Sequence, residues 1–304
     1  MELRVLQYFM AVAREESISR AAETLHVTQP TLSRQLAQME GELGVKLFHR
    51  GTRKITLTEE GLLLRRRAEE ILELVDKTEE EVTHAVGALE GTVTVGCGDL
   101  AGVQKLPPLF RTFQERYPAV TFDLYTGTAD QVKDKLDRGL ADVGLLLEPV
   151  DMGRYDFIRF REKEQWVVAM RPDAPLAAKE AISPEDLKDV PLILPRRLSV
   201  QSELAHWFGP LYPQLHAAFT ANLPSNSSVM VHHGLAYALI IKGSIRYWDP
   251  SVITWRPLSP ELTATCALAW RRLQPLSRAS EKFVEFARAR LEISPCAEGM
   301  AEPC

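Results

Sequence analysis

Residues 17–58 read SISRAAETLHVTQPTLSRQLAQMEGELGVKLFHRGTRKITLT, a pattern that fits a helix offered to a nucleic-acid groove better than part of a catalytic core. Just upstream, Leu3, Leu6, Phe9, Val12 and Ala13 recur at three- and four-residue steps, so one face of a first helix is buried. A short second helix carries Ile18, Ala21, Ala22 and Leu25 on one side, where the adjacent alanines let another helix approach closely. His26 and Val27 break the chain. Thr28 is then placed as the N-cap of a third helix that tolerates Pro30 in its first turn. Leu32, Leu36 and Met39 share the inward face of that helix. At about 100° per residue, Pro30, Arg34, Ala37 and Gln38 point the other way, with Gln29, Thr31 and Ser33 flanking the N-terminal end. These types suit a major groove: Arg takes two acceptors on guanine, Gln pairs with adenine, and Thr or Pro touches a thymine methyl. Reading helices place such residues near their N-terminal end.

The next segment adds charge. Between Leu43 and Thr58 there are four cations, Lys46, Arg50, Arg53 and Lys54, and no acid. Leu47 and Phe48, then Ile55 and Leu57, predict two short strands around the turn RGTRK, a basic wing beside the reading helix. Residues 1–58 carry a net charge of +2 and residues 59–304 carry −7, within a chain of net charge −5. Positive potential is therefore confined to the end that would meet phosphates.

SISRAAETLHVTQPTLSRQLAQMEGELGVKLFHR followed by LTEEG resembles the N-terminal domain of LysR-type transcriptional regulators. The resemblance implies an α/β protein with an N-terminal winged helix-turn-helix, a long dimerising linker helix and a C-terminal two-lobed effector domain of the periplasmic-binding-protein-like (type 2) kind. It puts Gln29, Pro30, Thr31, Ser33 and Arg34 in the groove and Arg50, Arg53 and Lys54 on phosphates. Thr28 and Gln38 complete the candidate DNA-binding set. It also implies homodimers or homotetramers on double-stranded promoter DNA, with a small-molecule effector and RNA polymerase as further partners.

The linker is legible without the family. Thr56 or Thr58 caps a helix whose first acids, Glu59 and Glu60, suit the positive end of the dipole. Leu64, Ala68, Ile71, Val75, Thr78, Val82, Ala85 and Leu89 follow at alternating steps of four and three, a heptad seam interrupted by Thr78. A helix from Thr58 to Leu89 would be roughly 48 Å long at 1.5 Å per residue, and its period of 3.5 asks for a partner chain. The competing reading packs the seam on the same chain's C-terminal domain.

Beyond Gly91 strands and helices alternate: TVTVGCG, LPPLFRTFQERYP, VTFDLYTG, DQVKDKLDRGL and ADVGLLL, then WVVAM, PLILP, ELAHWFGPL and VMVHHGLAYALI, with a stop at Gly243. Repeated β-α units predict parallel sheet. The expected divisions are 1–58 (DNA-binding), 59–90 (linker), 91–293 (effector domain) and 294–304 (a frayed tail). Lobe I would span about 91–162 and 267–293 and lobe II about 163–266, with crossovers near Arg161–Glu164 and Thr263–Ala267.

A cleft between such lobes collects strand ends and helix N-termini, which favour an anionic ligand. Candidate effector residues are Gly98, Asp99, Leu100, Gly127, Thr128 and Leu147 on the first lobe. On the second they are Ser199, Val200, Gln201, Asn226 and Ser227. In the resembled family the Leu100 position often holds a Ser or Thr whose hydroxyl binds an effector carboxylate. Leucine lacks that hydroxyl, and Asp99 beside it adds negative charge. The effector is then apolar, cationic, or held by the second lobe through Ser199 and Gln201.

Catalytic motifs HExxH, GxSxG, GxxxxGK[ST] and GxGxxG are absent from the sequence, and its seven His show no metal-ligand spacing with Cys. No enzymatic activity, metal or cofactor is expected. Adjacent His232 and His233 face different ways on a helix and read as structural or pocket-lining. Cys97, Cys266, Cys296 and Cys304 form no CxxC pair, which fits free thiols in a reducing cytosol. In the resembled family, peroxide sensors use a cysteine pair in the second lobe, and here that lobe holds at most Cys266. Charges interrupt any N-terminal leader-like run, and no stretch approaches the roughly 20 apolar residues of a membrane span. A cytoplasmic protein without membrane partners is expected. The alternative is a solute-binding or enzymatic α/β protein with a fused helical domain, which would need an export signal or a catalytic cluster.

Overall fold

A computed structural model describes residues 2–50, 54–83 and 89–291. The chain divides into two compact units, Met1–Thr83 and His84–Cys304.

In the first unit, α1 (Leu3–Glu15), α2 (Ile18–Thr24) and α3 (Gln29–Leu43) are followed by β1 (Phe48–Arg50), β2 (Ile55–Leu57) and α4 (Glu59–Thr83). Leu6, Phe9, Val12, Ala21, Ala22, Leu32, Leu36 and Met39 form its core. The chain reverses between α2 and α3 through His26 in a left-handed conformation, φ 53°. Ser17 caps α2 and Thr28 caps α3, each accepting a backbone N–H at 3.4 Å. Strands β1 and β2 pair antiparallel, Phe48 opposite Leu57, and the Ile55 N–H donates to the Glu16 carbonyl at the end of α1. Thr58 is the cap of α4: its hydroxyl accepts the Gly61 N–H at 3.0 Å and donates to the Lys46 carbonyl at 2.7 Å.

The seam on α4 departs from the sequence expectation. Ala68 is fully buried within its own unit, and Leu64, Ile71 and Leu72 pack on the same core. The amino-terminal half of the seam therefore covers the three-helix core of its own chain, which a heptad period alone does not distinguish from a partner helix. The described part of α4, Glu59–Thr83, has 25 residues, a length of about 37 Å at 1.5 Å per residue. Ala85 lies outside the described residues, and Leu89 sits in a bend, packed on the core of the second unit. Val82 is 70% exposed and Leu74 44%, and Leu62 and Leu63 are also exposed.

The second unit opens with β3 (Gly91–Cys97), α5 (Leu106–Arg116), β4 (Val120–Thr126), α6 (Ala129–Asp137) and β5 (Val143–Leu147). β3 pairs in parallel with both β4 and β5. Val93, Val95, Val143 and Leu145 are buried against Leu109, Phe113 and Phe283. The 16-residue β6 (Tyr155–Met170) then leaves this lobe for the second. There lie α7 (Pro184–Leu187), β7 (Leu192–Pro195), α8 (Leu198–Phe208), β8 (Ala217–Ala221), α9 (Ser225–His232), β9 (Tyr237–Ile241) and β10 (Thr254–Pro257). The chain returns along β11 (Thr263–Arg271) and ends its described part in α10 (Arg278–Leu291).

Strands run in the order β4-β3-β5-β11-β6-β9-β7-β8, with β10 on β6. β6 and β11 are antiparallel over Thr263–Arg271 with a register shift between Thr265 and Ala267. These two strands are the paired crossovers between lobes. The sheet is therefore mixed, not uniformly parallel. WVVAM is the distal part of one long strand rather than a new one, and VMVHHGLAYALI splits into α9 and β9. Period-2 patterning is lost in Arg159–Gln165 because the strand changes lobes there and its environment changes with it.

Candidate functional site

On α3, Gln29, Pro30, Thr31, Arg34 and Gln38 are exposed, as is the capping Thr28, while Ser33 is half-buried. The exposed face exists because Leu32, Leu36 and Met39 are held below it, each 2% exposed or less. Two side chains are partly committed. The Thr28 and Thr31 hydroxyls lie 2.8 Å apart, and the Gln38 amide donates to Glu42 at 3.0 Å. The Arg34 guanidinium has no hydrogen bond or ion pair among the described residues. Lys54, on the wing, pairs with Glu16 at 3.1 Å, both ends solvent-exposed. Arg53 lies outside the described residues and so does the side chain of Arg50.

Glu40, near the end of α3, fixes that helix to the entrance of the wing. Its carboxylate accepts the Leu47 N–H at 2.8 Å and the Lys46 ammonium at 2.9 Å. Burial alone would push this carboxyl up. The Leu47 N–H and the Lys46 charge outweigh it and hold the acid below its ordinary value.

In the second unit a cavity lies between the lobes, with about 110 Å³ open to water-sized molecules. Lobe I supplies Gly98, Asp99 and Leu100 from the turn after β3, Gly127 and Thr128 before α6, and Leu145 and Leu147 of β5. Lobe II supplies Trp166 of β6, Leu194 and Pro195 of β7, Arg197 and Val200 at α8, Ser227 of α9 and Leu239–Ile241 of β9. Three candidates fall elsewhere. Gln201 spends its amide on the Pro195 and Arg196 carbonyls, Asn226 is exposed, and Ser199 is not on the lining. A helix presents only one face to a cleft, and on α8 that face belongs to Val200. Thr128 lines the cavity, but its hydroxyl and Gln131 form the capping box of α6, so the N-terminus of that helix is satisfied from within.

Arg197 was not among the sequence candidates, although an arginine directly after an apolar strand at a cleft rim is a visible signal. Its side chain is 10% exposed and reaches from lobe II to lobe I. It pairs with Asp130 at 3.1 Å and donates to the carbonyls of Leu147 at 3.0 Å and Pro149 at 2.5 Å. Ser225 donates to Asp99 across the same opening at 3.1 Å. On the crossover side, Glu164 of β6 accepts the Gly102 N–H at 2.9 Å and the Cys266 thiol at 3.5 Å.

Burial, and then Asp99, raises the Cys97 thiol; burial, and then Glu164, raises Cys266. Burial thus disfavours the thiolate form at both positions. Cys296 and Cys304 lie outside the described residues. His232 and His233 are exposed and absent from the cavity lining. Among the described residues no group of three or more His, Cys, Asp or Glu is placed to hold a metal, and no helix is long and apolar enough to cross a membrane.

Residues 3–62 match the family model described as the bacterial regulatory helix-turn-helix protein, lysR family, and residues 87–292 match the LysR substrate binding domain. The chain is 31% identical over 290 residues to the HTH-type transcriptional regulator BudR of Raoultella terrigena, covering 94% of this chain and 99% of that protein. It is 30% identical to the HTH-type transcriptional regulator YvbU of Bacillus subtilis, covering 95% and 98%. Among solved structures, CbnR, a LysR family transcriptional regulator, superposes with a TM-score of 0.73 at 23% identity over 96% of this chain and 99% of that one. With a helix-turn-helix and a two-lobed domain both matched in order, the chain belongs to the LysR family of DNA-binding transcriptional regulators.

Proposed function

We propose that this regulator reads promoter DNA with Gln29, Pro30, Thr31, Ser33, Arg34 and Gln38, grips phosphates with Arg50, Arg53 and Lys54, and takes its signal from a small molecule held between the two lobes. The observation that carries the reading is the cavity between two lobes that the chain crosses along β6 and β11 and that Arg197 latches. A ligand that fits one lobe arrangement better than the other shifts the population toward it, and its effect is bounded by that difference in affinity.

We further propose that it acts in the cytoplasm as a homodimer or homotetramer, by binding rather than catalysis, with RNA polymerase as a further partner. The apolar residues left exposed on α4 support self-association. The similarly folded CbnR has been seen with its target DNA, which supports the same use of the first unit. Footprinting on the DNA flanking its own gene, with and without a panel of metabolites, tests the reading. Protection whose extent changes with one metabolite is the expected result. Protection indifferent to every metabolite and to Arg197→Ala would remove the cleft from the mechanism.

A further inference from the structure

The cavity wall contains two buried polar groups that the fold leaves unsatisfied. Trp166 and Ser227 both line it and are each 3% exposed. The indole Nε1–H of Trp166 and the hydroxyl of Ser227 have no hydrogen-bond partner among the described residues. Buried donors without acceptors are costly and rare, and such a donor on a pocket wall marks where a ligand atom completes the bonding. The indole nitrogen only donates and the hydroxyl is free to donate, so the complementary ligand atom is an acceptor.

The charges on the wall decide what kind of acceptor. Arg197 is the sole cation of the lining and Asp99 the sole acid. The Arg197 guanidinium is already engaged by Asp130 and by two lobe I carbonyls. A carboxylate entering the cavity would meet an uncommitted cation nowhere and would lie in the field of Asp99. Burying an anion without a counter-charge is far more costly than burying a neutral oxygen. The remaining wall is apolar: Leu100, Leu147, Val200 and Leu239 to Ile241. At about 10–15 Å³ for each water-sized sphere, the open space holds on the order of eight such groups.

Resting on the interlobe site proposed above, we infer that the effector is a small, uncharged, largely apolar molecule that presents an acceptor oxygen, such as a ketone, aldehyde or ester carbonyl, to the indole of Trp166. Leu100 and the committed Arg197 select against free carboxylic acids.

The test uses full-length protein with ¹⁵N-labelled indoles, the Trp166 signal assigned with Trp166→Phe. Matched probes are titrated on several frameworks: ethylbenzene, acetophenone and benzoate, and methylcyclohexane, cyclohexyl methyl ketone and cyclohexanecarboxylate. On at least one framework the ketone binds about tenfold tighter than the hydrocarbon and the carboxylate, and it moves the Trp166 indole signal downfield. Trp166→Phe removes most of the ketone's advantage and leaves the hydrocarbon's affinity nearly unchanged. Carboxylates that bind tighter while moving the Trp166 signal overturn the ligand class and leave the cleft as the site. Ketones that bind without moving that signal overturn the placement of the acceptor at Trp166. Binding by no probe on any framework overturns the ligand class.

Discussion

Glu40 ties α3 to the wing through one carboxylate, so it is where a single side chain tests the helix-turn-helix unit. Glu40→Gln weakens the bonds to Leu47 and Lys46 and costs roughly 1–3 kcal/mol in chemical unfolding. Its pH dependence has a definite sign. The folded-state carboxyl lies below its ordinary value of 4.5, so its stabilisation is complete above that value and is lost as pH falls through the lowered one. The stability gap between wild type and Glu40→Gln is therefore flat near neutrality and closes in acid. A gap that widens on acidification contradicts the assignment. On the exposed face, Arg34→Ala lowers affinity for a cognate promoter by about 1–3 kcal/mol and relaxes preference at one base. Lys54→Ala weakens binding to all sequences alike and reduces the salt slope by about one unit. Equal effects of both on unrelated DNA would merge the two roles.

At the scale of elements, α4 begins where there is no room for a side chain. A Cβ on Gly61 would stand 2.1 Å from the Leu47 carbonyl oxygen, which is backbone of the strand entrance and has little freedom to yield. Gly61→Ala must displace either the wing or the start of α4, at a cost of about 1–3 kcal/mol, and the melting temperature of the chain falls accordingly. The same helix shows why a seam needs a structure. By period alone Ile71 is the position to disrupt, yet Ile71 packs on the core of its own unit, so a charge there unfolds the domain. Leu74, 44% exposed, is the discriminating site. Leu74→Asp keeps the fold by circular dichroism and shifts sedimentation toward monomer. An unchanged oligomer would place self-association elsewhere.

For the effector domain as a whole, closure depends on a few contacts between lobes. Arg197→Ala leaves Asp130 and the carbonyls of Leu147 and Pro149 without their donor. Backbone amides near Leu147–Met152 and at the start of α8 then exchange hydrogen about tenfold faster, whereas those of α1 to α3 are unaffected. On the opposite side Gly243 sits against lobe I so closely that a Cβ would lie 2.0 Å from the Ala101 nitrogen. The glycine that reads as a stop signal in the sequence is, in the fold, one of the points where the lobes touch.

How much was legible depends on the range of the contacts involved. Thr28 as a cap, the inward Leu32, Leu36 and Met39, the wing strands and the alternating elements after Gly91 are set by local periodicity and capping chemistry, and each is visible in a window of about a dozen residues. Three cleft candidates, Ser199, Gln201 and Asn226, lie off the cavity lining because a rim position names a loop, not the face a helix turns inward. Trp166 and Arg197 escaped notice because β6 joins the wall only after changing lobes, and because Arg197 finds its partners in Asp130, Leu147 and Pro149 across the opening. The sequence by itself determined the family architecture and the exposed face of α3, since helix periodicity and N-caps are interactions between near neighbours. Tertiary structure alone decided that half of the α4 seam belongs to its own domain and that the cleft offers donors without a free cation, because burial and pairing there join residues far apart in the chain.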